Sequence, residues 1–351
     1  MQSMGETMDS DDIFNHIVGG IAGALIGDAM GAATEGMTPE KIKAQFGGRV
    51  VTFFAPPEGT FAAGRKPGEL TDDSTQMLEM LQAEIETRGQ LTPQAVADHL
   101  LKWAQNEVLF GRFAGPSTRK ALKLLMEGKS PTETGFPTTP LDMISNGAAM
   151  KVSPIGLAHP GNPDAAIRDA ITMCIPTHNT DVAYAGAAAV AAAVSIAVIP
   201  QATFLAVVDA ALYGAKEGYR IGKAQAQIIP SPSVVERIRL AIEIASAESE
   251  FDVACLRLGN VIGCGLPIIE AVPVAIGLFL ASRGDPNSAI FGAVNLGGDA
   301  DTVATITGAI AGAYAGIDRF QPNLVGQIEA VNHIQLAGIA RQLMDLVSAQ
   351  D

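Results

Sequence analysis

At 351 residues, 48% of them hydrophobic, the chain can bury a substantial core in one large domain or two smaller ones, and no linker argues for two. Lys and Arg total 23 against 37 Asp and Glu, a formal net charge of -14. A field of that sign repels phosphate backbones and acidic lipids, so nucleic acid and membranes are set aside as partners. An anionic small molecule would need local positive charge, most simply from a bound divalent metal.

The first residues carry Asp9, Asp11 and Asp12 and have neither a basic start nor an apolar run. Residues 1–11 are therefore expected to be a flexible tail rather than a signal peptide, with the folded domain over 12–351. Gly20, Gly23, Gly27 and Gly31 then recur at spacings of three and four, a small-residue face against which another helix can approach closely. Thr38-Pro39-Glu40 and Thr92-Pro93-Gln94 each read as an N-cap followed by proline at the first helical position. Between them, residues 50–54 are the only strand-like stretch. Residues 72–88 show a helical period through Met77, Leu78, Leu81 and Ile85 that stops at Gly89.

Further helices are predicted over 116–126, 163–173, 181–199, 201–216, 232–247, 267–282, 286–294, 301–315 and 322–347. The run 182–208 has no charged residue and is long enough to span a bilayer. It is alanine-rich, is interrupted at Pro200-Gln201 and has no basic flank, so a buried central helix is the preferred reading. Cys174, Cys255 and Cys264 are odd in number and show no CxxC spacing, which reads as reduced thiols in a cytoplasmic protein. The long loops 46–70 and 128–140, and Leu296-Gly297-Gly298, lead into the polar motifs.

Two of those motifs place acids at a helix start: Thr71-Asp72-Asp73 and Gly297-Gly298-Asp299-Ala300-Asp301-Thr302. The plain reading of the first is helix capping. For Asp299 and Asp301 to share a site, Asp299 must sit at the cap, where the backbone is not yet helical, and the two glycines permit that turn and a close approach to a ligand. Four carboxylates and two threonine hydroxyls are hard oxygens suited to magnesium, manganese or calcium rather than zinc. Two divalent ions would balance the charge of Asp72, Asp73, Asp299 and Asp301, provided the motifs meet in space. No serine nucleophile elbow, P-loop or dinucleotide glycine fingerprint is present.

The order of motifs resembles the ADP-ribosylglycohydrolase family, which includes the dinitrogenase reductase-activating glycohydrolase. The matching residues are 23–31 with Glu35, 71–76, 146–156, 177–181 and 295–302. The resemblance implies an all-α, compact single-domain fold with a two-magnesium cleft, manganese being a possible substitute. It implies Thr71, Asp72, Asp73, Asp299, Asp301 and Thr302 as metal ligands, Glu35 and Asp301 as catalytic residues, and Asn146, Gly147, His178, Gly297 and Gly298 as substrate-binding. The usual pattern has Gly-Asn-Gly and Met-Arg where this chain has Ser145-Asn146-Gly147 and Met150-Lys151. Lysine lacks the bidentate fork of arginine, so its place relative to substrate matters.

The expected activity is hydrolysis of the ribosyl anomeric bond of an ADP-ribosylated protein or small conjugate by metal-activated water, with Glu35 moving the proton. The alternatives are an N-ribosidase acting on free nucleosides or nucleotides, and a non-catalytic crystallin-like or ADP-ribose-binding protein. For His178 the plain alternative is a core histidine, and for Glu35 a solvated charge.

Overall fold

The computed structural model describes residues 10–139 and 143–349. The tail expected over 1–11 falls outside them except at Ser10 and Asp11, as does the end of the 128–140 loop. The first half of the chain forms α1 (Ser10–Gly31), α2 (Pro39–Phe46), α3 (Asp72–Glu86), α4 (Pro93–Trp103), α5 (Pro116–Met126), α6 (Pro131–Thr134), α7 (Ser153–Leu157), α8 (Pro163–Cys174) and α9 (Asp181–Ala197). The second half forms α10 (Phe204–Gln225), α11 (Val234–Ala247), α12 (Phe251–Ile262), α13 (Ile268–Ala281), α14 (Pro286–Leu296), α15 (Ala300–Ala315), α16 (Pro322–Asn332) and α17 (Leu336–Ser348). A π-helical turn spans Leu109–Phe113. Among the described residues there is no strand, and the class is all-α.

Short-range chemistry sets where many helices start. Thr38 and Thr92 accept hydrogen bonds from the backbone N–H of Lys41 and Ala95, three residues on, and Thr180 and Thr203 do the same for α9 and α10.

Backbone-to-backbone packing then sets which helices meet. Gly19, Gly23, Gly27 and Gly31 of α1 face α15, where added Cβ atoms would overlap Gly312 O, Gly308 O, Ala304 O and the backbone of Asp301. Gly20 faces α7 instead, with Leu157 where its Cβ would be. The same device joins α9 to α10: Cβ atoms at Gly214 and Gly218 would overlap Ala188 O and Tyr184 O. The charge-free run thus contains a helix buried almost throughout. Of the described helices, α1 alone is long and apolar enough to cross a bilayer, and 83% of its apolar window is buried inside the protein.

Four expectations need correction. Residues 50–54 form no strand: both backbone groups of Val50 bond instead to the side-chain amide of Asn295, at 2.8 Å each. The span 322–347 is two helices. The chain turns at His333 in a left-handed conformation (φ 54°), and Asn332 reaches across to Gly68 O and Leu70 N. Helix α12 has no counterpart among the predicted helices, and α10 begins later and runs further than 201–216.

Candidate active site

The turn that follows α1 and the N-terminal ends of α3 and α15 converge on one cavity of about 510 Å³, lined by Glu35, Asp72, Asp73, Asp299, Asp301 and Thr302 among others. The two acidic motifs, 226 residues apart from Asp73 to Asp299, therefore share one site.

Capping explains why the aspartates of α3 are free to face that cavity. Asp28, fully buried on α1, accepts from Thr71 N–H (2.9 Å), Thr71 Oγ1–H (2.6 Å) and Ser74 N–H (3.2 Å). It thus serves donors that a helix start leaves without partners. Burial pushes the Asp28 carboxyl up, and its hydrogen bonds to Ser74 and Thr71 pull the other way. Asp72 and Asp73 are thereby released from the capping duty that their position suggests. Asp72 accepts from Gln76 Nε2 (3.0 Å), and Asp73 Oδ2 has no hydrogen-bond partner. Thr71 is buried and lies outside the cavity lining. Its hydroxyl donates to Asp28, which leaves an oxygen lone pair.

At α15, Asp299 is the N-cap residue with non-helical backbone (φ -89°, ψ 65°), and this lets it join Asp301 in the cavity. Gly297 and Gly298 both have positive φ, 70° and 67°. They do not line the cavity. Cβ atoms there would overlap Met37 O and Cys264 O, so the close approach is to protein backbone rather than to a ligand. The turn is also stapled to the segment after α1. Gly36 N–H donates to Gly298 O (2.7 Å) and Gly298 N–H to Met37 O (3.1 Å), which sets Glu35 beside Asp299 and Asp301. Carboxylate oxygens of these three lie within 4.8 Å of one another.

Burial pushes the carboxyls of Glu35, Asp72, Asp73, Asp299 and Asp301 above their ordinary range, and neighbouring carboxylates add to the rise in all but Asp299. Such a cluster resists ionisation unless a cation joins it. Two buried oxygens, Glu35 Oε2 and Asp73 Oδ2, have no partner at all. A hard-oxygen donor set with orphaned lone pairs fits a divalent ion of the magnesium class.

The same cavity is also lined by cationic and apolar residues: Arg112, Arg119, Phe61, Phe113, Pro116 and Thr118. Arg112 Nε donates to Phe61 O (2.9 Å) and Nη2 to Ala63 O (2.6 Å); Arg119 Nη1 donates to Gly111 O (3.2 Å) and Nη2 to Ala114 O (3.0 Å). Each guanidinium has five N–H donors and so retains some for a ligand. Sequence reading missed both arginines, because no motif marks the π-helical turn that presents Arg112. Asp28 was legible in principle as an acid set within the apolar, glycine-rich part of α1, beyond Asp11 and Asp12 of its first turn.

Asn146 and Gly147 line the cavity as expected, and Asn146 Nδ2 donates to Asp299 Oδ2 (2.5 Å). Their segment is tethered to the start of α13 by Asn146 N–H to Leu266 O and Ile268 N–H to Ile144 O, 2.9 Å each. His178 does not line the cavity. It is fully buried behind Gly147, bonded to Ser145 Oγ (3.0 Å) and Thr177 Oγ1 (2.8 Å), and burial holds its pKa well below the usual value, so the ring is neutral. It is a core histidine supporting the loop that carries Asn146 and Gly147. Lys151 is also fully buried and donates to Gly147 O, so it braces the loop and does not reach the cavity.

Residues 9–351 match the ADP-ribosylglycohydrolase family. An uncharacterized Escherichia coli protein, YegU, is 32% identical over 93% of this chain and 96% of its own length. The human ADP-ribosylhydrolase ARH3 is 29% identical over 86% of this chain and 85% of its own. Among solved structures, an ADP-ribosylglycohydrolase-related protein shares the fold with a TM-score of 0.65 at 23% identity, over 96% of this chain and 99% of that one.

Proposed function

From the premise that the chain belongs to the ADP-ribosylglycohydrolase family, whose members are hydrolases of ADP-ribosyl bonds, we propose that it is a magnesium-dependent hydrolase. Its substrate in this reading is the anomeric bond joining ADP-ribose to a protein side chain or a small group, and it works in a reducing compartment. The observation that carries the reading is that five carboxyls and two arginines line one cavity. A free nucleoside brings no phosphate to the cationic wall, whereas a diphosphate suits it.

Asp72, Asp73, Asp299 and Asp301, with the oxygens of Thr71 and Thr302, would hold two magnesium ions, or manganese. Bound there, the ions would supply grip on the ribose hydroxyls and polarisation of a water. Asn146 fixes the Asp299 carboxylate through Oδ2. Glu35, unpaired at Oε2, is the group placed to take a proton from the attacking water or pass one to the leaving group as positive charge develops on the ribose. Gly147 keeps the substrate side of the loop open, and Lys151 with His178 holds it from behind.

The test is turnover of a panel of ADP-ribosylated peptides, small ADP-ribose conjugates and free nucleosides, with magnesium and after chelation. We expect activity on the ADP-ribosyl substrates, lost on chelation and in Asp301→Ala, with helicity retained. Hydrolysis of nucleosides alone would transfer the site to the N-ribosidase reading; activity indifferent to chelation would end the metal assignment.

A further inference from the structure

Helix α3 carries a second acid far from its first turn. Glu84 lies 12 residues beyond Asp72, which at 1.5 Å per residue is about 18 Å along the helix. It is fully buried, and neither Oε1 nor Oε2 has a hydrogen-bond partner. One ligand atom each of Glu84, His159 and Asp169 lie within 4.8 Å of one another, and His159 Nε2 is 2.6 Å from Asp169 Oδ2. None of the three lines the catalytic cavity.

Three separate pieces of the fold meet here: α3, the turn between α7 and α8, and α8 itself. The turn is pinned independently of the imidazole. His159 O accepts from Ser195 Oγ (2.5 Å) and Asn162 N–H (3.1 Å), and Gly161 N–H donates to Ser195 O (2.8 Å). The histidine is therefore held in place through its backbone carbonyl and the bonds of its turn to α9, so the ring's position does not depend on its contact with Asp169. Asp169 is 20% exposed at its side chain and gives a path from solvent.

A buried carboxylate with no donor on either oxygen is costly unless it is protonated or bound to a cation. Burial, then the charge of Asp169, push the Glu84 carboxyl up to about 8. One aromatic nitrogen and two carboxylate oxygens make a softer donor set than the all-oxygen cavity, and imidazole favours zinc-class ions over magnesium. We propose that Glu84, His159 and Asp169 form a second metal site, for a zinc-class divalent ion, separate from the catalytic cavity. Three protein ligands leave a fourth position for water. Ligand atoms on tetrahedral zinc sit about 3.4 Å apart, given bonds of about 2.1 Å. To hold the ion, the His159–Asp169 pair at 2.6 Å would widen by about 0.8 Å as the ion replaces their hydrogen bond, and Glu84, within 4.8 Å, would draw in by up to about 1.4 Å. The site would clamp α3, the same helix that presents Asp72 and Asp73, to α8.

The experiment uses the full chain in excess magnesium, which occupies the hard-oxygen cavity, and titrates zinc while reading bound zinc by elemental analysis and thermal stability by melting. Wild type is expected to retain one zinc per chain and to melt higher with it. Glu84→Gln and His159→Ala should each weaken zinc binding by about tenfold or more and abolish the zinc-dependent rise in Tm. Asp301→Ala should keep both. Asp169→Asn, at the more exposed ligand, gives the same readout if either buried variant fails to fold. The proposal is overturned if wild type retains no zinc, if zinc is lost only in Asp301→Ala, or if Glu84→Gln leaves zinc affinity unchanged. A Tm indifferent to zinc in wild type overturns it too, and would mark Glu84 as a buried neutral acid.

Discussion

The acidic floor of the cavity stands on α1, α3 and α15, where backbone touches backbone: Gly27 against Ala304 and Gly31 against Asp301 itself. The cationic wall stands on the π-helical turn at Leu109–Phe113, the start of α5 and the loop holding Phe61 and Ala63. There the glycines Gly111 and Gly115 have open space where a side chain would go. The chemistry is thus mounted on helices that cannot shift without breaking the core. The arginines sit on segments that tolerate change, the usual division between scaffold and loop. The two arginines are held by nearby carbonyl oxygens and by the rings of Phe113 and Phe110, 5.2 Å and 5.7 Å from their guanidinium carbons, so their placement depends on local contacts rather than on the core.

Four substitutions sharpen that contrast, from the largest expected effect downward. Gly27→Val puts a branched side chain into the carbonyl of Ala304 on α15, and should destabilise the protein by about 3 kcal/mol or more, as read by chemical denaturation. A folded Gly27→Val of unchanged stability would mean that α1 and α15 do not pack as described.

Glu35→Gln comes next. It preserves size and hydrogen bonding but cannot carry a proton as a carboxylate does, and should lower kcat by about a hundredfold with little change in magnesium affinity. Near-normal turnover would assign Glu35 to a peripheral charge. Arg119→Ala, on the tolerant wall, should leave Tm nearly unchanged and raise KM for an ADP-ribosyl substrate by about tenfold, the loss of one charge-assisted hydrogen bond. The control within that comparison is a substrate lacking the diphosphate, on which the variant should act as wild type does. Smallest of all is Gly111→Ala, whose Cβ meets nothing within 4 Å. Its stability should change by no more than about 0.5 kcal/mol.

The sequence already held the two acidic motifs, the threonine caps and the small-residue face of α1, because each is written within one or two helical turns. The helical period through Met77 and Leu81 and the N-caps at Thr38 and Thr92 are of the same local kind. Placing Asp299 at the N-cap was also legible, since two carboxylates two residues apart cannot share a site within a regular helix. The fold class followed from the absence of sustained alternation and from the resemblance in motif order.

Only the tertiary structure decided which groups those motifs would meet. Asp28 bonds the N-cap residue Thr71 of a helix 43 residues later in the chain, and this releases Asp72 and Asp73 from the capping role their position suggests. Arg112 reaches the cavity from a π-helical turn without a sequence pattern and Arg119 from the first turns of a helix that no motif links to the site, while His178, which the motif order placed near substrate, and Lys151, which it left open, turn inward to hold the loop from behind. Gly297 and Gly298 are needed for backbone packing against Met37 and Cys264. Glu84, His159 and Asp169, up to 85 residues apart, share no local signature at all. Propensity, capping and periodicity act over a few residues, so they specify elements. Contacts between elements depend on which buried faces can approach most closely, and in this chain that was set by glycine and alanine surfaces far apart in sequence.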